Sequence, residues 1–85
     1  MFFVYVLYSP KFDQIYIGMT NNLERRLQEH NAGHNKSTKA YLPWKKIHTE
    51  SFPTRIEARK REKYLKTQRG RELIRKQFVP LYKDA

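Results

Sequence analysis

The stretch QIYIGMTNNLERRLQEHNAG, residues 14–33, carries the strongest local signals for the fold. A short apolar run comes first, and two asparagines then precede a helical pattern. One stripe of that helix carries Leu23, Arg26, Leu27 and His30, at spacings of three and four. Residues with this spacing share one helix face. The leucines predict that this face is buried, so an arginine and a histidine stand where apolar residues are expected.

A β-hairpin is predicted to precede this helix. Residues 2–9, FFVYVLYS, are apolar and rich in β-branched and aromatic residues, which is typical of a strand covered on both faces. A second strand is predicted at residues 14–19, QIYIGM. The short turn sequence between them favours an antiparallel pair.

The register of this hairpin decides which side chains share a face. If residues 9–12 form the loop, Tyr8 pairs with Asp13, and Tyr5 lies directly opposite Tyr16. Cross-strand partners share a face, and a shift of one residue would separate the two tyrosines. We predict the register that keeps Tyr5 and Tyr16 together.

Capping residues predict the limits of the first helix. Asn21 is predicted to be its N-cap, with Glu24 completing a capping box. The helix is predicted to run to about Ala32, where Gly33 supplies a left-handed stop.

The rest of the chain adds one strand and two helices. Thr54 and Glu57 form a second capping box, and Gly70 is predicted to break the helix that follows. In chain order the predicted segments are a polar loop at 33–43, an edge strand at 44–52, a helix at 55–68 and a short helix at 71–78. The order ββαβαα indicates a small α/β domain of the α+β type, with helices packed on a three-stranded sheet.

Length and composition limit the class of protein. The 85 residues predict one domain, at 1–80, with a frayed tail at 81–85. The absence of cysteine excludes disulfide partners and thiolate metal sites, and fits a cytoplasmic protein. No apolar run is long enough to cross a membrane, and the basic helices lack a continuous apolar face with bulky anchors, so no membrane partner is predicted. The apolar start lacks the basic residues of a signal peptide, and it is interpreted as a strand.

The charge predicts a polyanionic partner. The formal net charge is +10, and residues 55–76 contain ten basic and three acidic side chains. A solvated helix surface is the simpler interpretation, but such surfaces usually mix both signs. Nucleic acid is therefore the first candidate partner.

A second helical stripe repeats the pattern of the first. Ala58, Glu62, Leu65 and Arg69 are predicted to lie on one face, which places Glu62 between apolar residues. An unpaired buried charge costs several kcal/mol. Two alternatives follow: either Arg26 and Glu62 pair with each other, or both line a polar cleft that a ligand fills.

The residues resemble a known family. VYVLYS, then YIG, NNLERRLQEHNAG and FPTRIEARKREKYLK resemble the GIY-YIG nuclease superfamily over about residues 2–68, in particular its small single-domain bacterial branch, of the UPF0213 type. The first motif of the family stands here as Phe3-Val4-Tyr5. The resemblance implies the GIY-YIG endonuclease fold, with a central three-stranded antiparallel sheet.

The resemblance also implies an active site and a metal. The active-site residues of the family fall on five positions: Tyr5, Tyr16, Arg26, His30 and Glu62. Glu62 would bind Mg²⁺ or Mn²⁺, and the arginine fork would contact phosphate oxygens. A tyrosine or the histidine would handle the proton of the attacking water, and which of them does so stays open. Two family positions differ: Met19 stands where some relatives have lysine, and residues 63–85 contain no asparagine.

Simpler roles exist for several of these residues. Each tyrosine could be a core residue, His30 could cap its helix, and Glu62 could form a surface ion pair. Trp44 is interpreted as a core residue, and His34 and His48 as bystanders. The candidate nucleic-acid contacts are Arg25, Lys36, Lys39, Lys45, Lys46, Arg59, Lys63, Lys66 and Arg69.

Two functions are consistent with these residues. The first is a metal-dependent endonuclease acting on DNA, with RNA not excluded, of low sequence specificity or selective for substrate structure. The second is a non-catalytic basic nucleic-acid-binding module on the same scaffold. The completeness of the five-residue set favours the enzyme. A monomer associated with the nucleoid is the expected state.

Overall fold

The protein is an α+β domain built on a three-stranded antiparallel sheet with strand order β2-β1-β3. The structure, a computed structural model, describes residues 1–81, so residues 82–85 of the predicted tail lie outside it. The elements are β1 (Phe2–Ser9), β2 (Gln14–Thr20), α1 (Leu23–Asn31), β3 (Lys45–Phe52), α2 (Arg55–Lys66) and α3 (Gln68–Gln77), with 3₁₀ turns at Lys39–Tyr41 and Val79–Leu81. The predicted order ββαβαα and fold class are confirmed. Within residues 1–81, no helix has the length and apolar character that crossing a membrane requires.

The central strand β1 is buried on both faces, as its unbroken apolar run predicts. Its alternate side chains Val4, Val6 and Tyr8 point to the face covered by α2 and α3. Tyr5 and Leu7 point to the opposite face, where they pack with residues of α1 and with Trp44. Burial of each large apolar side chain contributes about 1.5–3 kcal/mol, so the helices are fixed on both sides of the sheet.

The hairpin register differs from the predicted one by two residues. Tyr5 lies opposite Gly18, and Leu7 lies opposite Tyr16. The loop comprises residues 10–13, and Asp13 has φ 53°, a left-handed conformation that aspartate tolerates better than most residues. Because side chains alternate with a period of two, this shift leaves Tyr5 and Tyr16 on the same face.

The new register also explains Gly18. A Cβ at this position would overlap the Tyr5 phenol, so the tyrosine ring occupies the space that a side chain would need. The predicted pair of Tyr8 and Asp13 exists only between side chains: the Tyr8 hydroxyl donates to Asp13 Oδ1 at 2.8 Å.

The first helix begins one residue later than predicted. Its N-cap is Asn22, whose side chain accepts from the Arg25 N–H at 3.1 Å, so Asn21 is not the cap and Glu24 completes no capping box. The end of the helix is confirmed, since Gly33 has φ 79°.

The break between the last two helices is at Thr67, and the prediction that Gly70 causes it is wrong. Thr67 ends α2 and caps α3, with its hydroxyl accepting from the Gly70 N–H at 3.2 Å. Gly70 lies inside α3, buried against the backbone of α2. Arg69 is consequently exposed on α3 and does not continue the buried stripe of Ala58, Glu62 and Leu65.

The His48 side chain joins β3 to the helices. Its Nε2 lies 2.7 Å from Glu50 Oε2, and its ring stacks on Phe78 at 4.2 Å between centroids. Arg61 of α2 binds the same carboxylate through two N–H groups, at 2.9 and 3.1 Å. Burial raises the pKa of Glu50, but the hydrogen bonds from Arg61 and His48 outweigh it and hold that pKa below its usual value.

Candidate functional site

The centre of the candidate site is a buried hydrogen bond between Tyr5 and His30. The Tyr5 hydroxyl lies 2.9 Å from His30 Nε2, and the residues are 1% and 0% exposed. β1 supplies the tyrosine, and the last turn of α1 supplies the histidine. The buried stripe of α1 predicted from its sequence is what brings the imidazole to the sheet.

Thr38 fixes the tautomer of this histidine. Its Oγ1 lies 2.9 Å from His30 Nδ1, and its own hydroxyl donates to the Asn35 carbonyl at 3.5 Å. The threonine oxygen therefore accepts from Nδ1–H, which leaves Nε2 to accept from the Tyr5 hydroxyl. Trp44 Nε1 donates to the Thr38 carbonyl at 2.8 Å and so holds this loop in place. The prediction of Trp44 as a core residue is consistent with its 5% exposure.

The pKa directions agree with this arrangement. Burial raises the pKa of Tyr5 to about 12, although its interaction with the Arg26 guanidinium acts in the opposite direction. Burial, together with the positive charge of Arg26, lowers the pKa of His30. At neutral pH the phenol is therefore protonated and the imidazole is neutral, as the hydrogen bond between them requires.

Tyr16 closes the aromatic cluster from β2. Its ring lies edge-on to His30 at 4.9 Å between centroids, and 6.3 Å from the Tyr5 ring. Unlike Tyr5, it is only partly buried. Tyr16 is therefore the phenol of the pair that has access to solvent.

Arg26 connects this cluster to the surface. Interaction with the Tyr5 hydroxyl raises the pKa of the arginine, and the guanidinium pairs with Glu29 Oε1 at 3.4 Å. It also lines a surface cleft of about 380 Å³ together with Arg25 and Arg55. Arg26 is therefore the one of the five predicted residues that lines this cleft.

Glu62 lies on the other side of the sheet, and within residues 1–81 no hydrogen bond or ion pair joins its carboxylate to the other four predicted residues. Its helix α2 packs on the opposite face from α1. The residue is 9% exposed, and its Oε2 lies 3.4 Å from Lys66 Nζ, so the carboxylate is not in bulk water. Its charge contributes to the raised pKa of Tyr5, after burial and the nearby Tyr16. The alternative in which Glu62 pairs with Arg26 is wrong, because the ion-pair partners are Lys66 and Glu29 respectively.

Within residues 1–81, no group of three or more His, Cys, Asp or Glu side chains is placed to hold a metal ion. Glu62 is the one acidic residue among the five predicted positions. A single carboxylate fits Mg²⁺, which keeps most of its waters and shares phosphate oxygens with its substrate.

All nine candidate nucleic-acid contacts are exposed, but they do not form one surface. Arg25 lines the cleft beside Arg26, and Arg59 and Lys63 line a groove along α2. Lys45 and Lys46 lie at the start of β3, opposite Tyr8 and Leu7, near the hairpin loop. The others are Lys36 and Lys39 in the loop after α1, Lys66 at the end of α2, and Arg69 on α3.

Sequence reasoning missed Thr38 and Arg55. Thr38 lies in a polar loop with no periodic pattern, and its role depends on a contact with His30 eight residues away. Arg55 was visible as the first residue of the predicted second helix. Its position shortly after the end of β3, at the first residue of α2, was the signal that could have found it.

The fold and the site together define a class of protein. A family model described as the GIY-YIG catalytic domain matches residues 1–76, and the chain belongs to that family. The family resemblance stated from the sequence motifs is confirmed.

Within that family, the relatives carry UPF0213 names. The chain is 42% identical over 67 residues to the UPF0213 protein CPE1444 of Clostridium perfringens, covering 78% of this chain and 71% of the relative. It is 45% identical over 65 residues to the UPF0213 protein BLi00048/BL00536 of Bacillus licheniformis, covering 75% and 66%. The solution NMR structure of the UPF0213 protein BH0048 from Bacillus halodurans aligns with a TM-score of 0.57 at 29% identity, over 100% of this chain and 95% of that one. These names state no activity.

A pH dependence of stability follows from His30. Its pKa is below that of the unfolded chain, so the unfolded state takes up a proton first as the pH falls through about 6.5. We expect stability contributed by neutral His30 to be complete above pH 6.5 and to be lost as the pH falls towards the lowered pKa. Urea unfolding of the wild type and of His30→Gln between pH 5 and 8 measures this.

The difference between the two proteins isolates the histidine, because glutamine does not titrate. We expect the stability advantage of the wild type to shrink at the acidic end. Tyr5 and Glu50 do not interfere, since their shifts act above pH 10 and below pH 4.5. A constant difference across the range would contradict a neutral, buried His30.

Proposed function

We propose that this protein is a metal-dependent endonuclease that hydrolyses DNA phosphodiester bonds. The observation that carries the proposal is the buried Tyr5–His30 hydrogen bond next to the Arg26 guanidinium, which opens to a cleft. A purely structural core would not need a neutral histidine, a protonated phenol and an arginine in one connected network, because each buried polar group costs free energy.

Each residue has a distinct proposed task. Arg26 binds the non-bridging oxygens of the scissile phosphate, because its planar fork matches them. Tyr16 has access to solvent and orients the attacking water. Tyr5 takes up the proton of the attacking water as it passes its own proton to neutral His30, so the phenol stays protonated and His30 is the final proton acceptor.

Glu62 is the residue that would hold the metal. If Mg²⁺ or Mn²⁺ were bound at this carboxylate, it would supply positive charge to the phosphate and to the leaving oxygen. Lys66 pairs with the carboxylate in this structure. When the metal binds, the lysine would turn outwards, since its side chain is 48% exposed.

The substrate follows from the charge and the family. The net charge of +10 favours a polyanion, and the affinity should fall steeply with salt. The proposed specificity is low for sequence, with structure-selective cleavage as the alternative. We propose that this activity takes place in the cytoplasm, at the nucleoid.

Nicking of supercoiled plasmid tests the proposal. We expect wild-type protein to convert supercoiled into open-circular DNA with Mg²⁺ or Mn²⁺, and EDTA to stop the reaction. Arg26→Ala should be slower by about 10²-fold, because it removes a charge-assisted contact with the transition state.

Two controls define the outcomes. Lys76→Ala removes one exposed charge from α3, away from the site, and should nick like the wild type. Equal nicking by the wild type and Arg26→Ala would reveal a contaminating nuclease and contradict the enzyme. DNA binding without any nicking would favour the non-catalytic binding module, which the exposed cations also support.

A further inference from the structure

The cleft beside Arg26 contains more positive charge than one catalytic phosphate needs. It measures about 380 Å³, and three arginines line it, together with Glu29, Thr20 and Asn21. Arg25 and Arg26 come from α1, whereas Arg55 is the first residue of α2. The fold therefore brings together arginines from segments that are 30 residues apart in the chain.

Two of these three guanidiniums are uncompensated. Glu29 pairs with Arg26, at 3.4 Å. Arg25 and Arg55 are exposed, and no side chain within residues 1–81 forms an ion pair or hydrogen bond with either guanidinium.

Two other arginines of this protein have acidic partners. Arg61 binds Glu50, and Arg75 binds Asp13 at 3.1 Å. Two unpaired guanidiniums facing one cleft repel each other, so an anion that binds both is favoured.

We propose that Arg25 and Arg55 form a second phosphate subsite, which holds the phosphate adjacent to the one bound by Arg26. This inference rests on the proposed function, because it takes a phosphodiester chain as the ligand. Guanidinium groups bind phosphate oxygens in a fixed planar geometry, so two of them can hold one phosphate in a defined position. The task of the subsite is to bind and align the chain, whereas Arg26 acts at the scissile phosphate.

Arg55 also indicates the path of the DNA strand beyond this subsite. It lines a second groove, of about 500 Å³, along the exposed face of α2. The other cations of that groove are Arg59, Lys60 and Lys63. Since one residue lines both surfaces, the phosphates that follow the subsite continue along α2. The lysines near the hairpin loop lie outside this path.

The subsite is tested by binding in the absence of metal. A fluorescent DNA oligonucleotide is titrated with protein in EDTA at several salt concentrations, with fluorescence anisotropy as the readout. We expect Arg55→Ala to raise Kd about tenfold and to reduce the slope of log K against log salt by about one. Arg25→Ala should behave in the same way, because both residues hold one phosphate.

Lys76→Ala is the matched control for the loss of one charge. Arg75 next to it binds Asp13 of the hairpin loop, so this end of α3 lies far from the cleft. We expect its Kd to change less than twofold. If Arg55→Ala and Lys76→Ala changed Kd equally, the subsite would be overturned. Arg55 would then contribute to binding only through the net charge. Thermal unfolding of each variant confirms the fold, which exposed positions should leave intact.

The kinetics separate this inference from the proposed function. In the nicking assay, Arg55→Ala should raise KM about tenfold and change kcat less than threefold, because Arg55 does not touch the reacting atoms. A loss confined to kcat would overturn the role as a binding residue. If wild-type protein binds DNA without nicking it, the enzyme is contradicted, but the binding difference between Arg55→Ala and Lys76→Ala still supports the subsite.

Discussion

Glu62→Gln is expected to reduce metal-dependent nicking by 10²- to 10³-fold while leaving DNA binding within about twofold of the wild type. Glutamine keeps the shape of the side chain and removes its charge. The proposed metal would then lose its single carboxylate ligand, and with it the charge that stabilises the transition state. The nicking rate and the DNA affinity in EDTA, both measured on the same preparations, check the two parts of this expectation.

The fold should survive this substitution. The ion pair with Lys66 is half exposed on the lysine side, and such pairs contribute at most about 1 kcal/mol. A buried amide is also easier to accommodate than a buried charge. Tm values of the wild type and the variant should therefore be similar, which separates a chemical effect from unfolding.

Glu57→Gln is the matched control on the same helix. Glu57 is exposed in the first turn of α2 and accepts a hydrogen bond from Thr54, which a glutamine side chain can also accept. Its nicking rate should match the wild type. If Glu62→Gln retained more than a tenth of the wild-type rate with Mg²⁺, the metal would have to be bound elsewhere, and the proposed role of this carboxylate would be wrong.

The position of Glu62 shows what a helical stripe reveals. Its spacing from Ala58 and Leu65 predicted burial, and the residue is buried. The stripe could not show on which face of the sheet the helix packs. Local periodicity gives the inward side of an element, whereas the packing of whole elements depends on contacts across the chain.

The hairpin shows how an error in register can leave a site intact. The loop length depends on Asp13 adopting a left-handed conformation, which an alternating strand pattern does not reveal. The resulting shift of two residues preserves the faces, so Tyr5 and Tyr16 still meet. A shift of one residue would have separated them.

The unpredicted residues share a physical reason. Thr38 contacts a histidine in another element, and Arg55 lines a cleft together with two arginines of α1. Neither contact has a periodic signature in the sequence. The family motifs identified the central residues of the site, but its supporting residues required the three-dimensional arrangement.

Gly70→Ala is expected to destabilise the protein by about 3 kcal/mol, the upper end of the usual range for overpacking. A Cβ at this position would overlap the Tyr64 carbonyl oxygen and the backbone of Leu65, both in α2. These are backbone atoms of a packed helix, so they cannot turn away as a flexible side chain would. For a domain of this size, the loss corresponds to a Tm lower by roughly 12–24 °C.

The sign of this effect is the informative part. In an ordinary helix interior, replacing glycine by alanine stabilises by about 0.5–1 kcal/mol, because it restricts the unfolded chain. Lys76→Ala, exposed on the same helix, should change stability by less than about 0.5 kcal/mol. Urea denaturation of the three proteins measures the differences. A more stable Gly70→Ala protein would mean that α2 and α3 do not approach as closely as described. Because α2 carries Glu62, a shift of this helix pair would also move the carboxylate relative to Tyr5, so we expect the same substitution to reduce nicking.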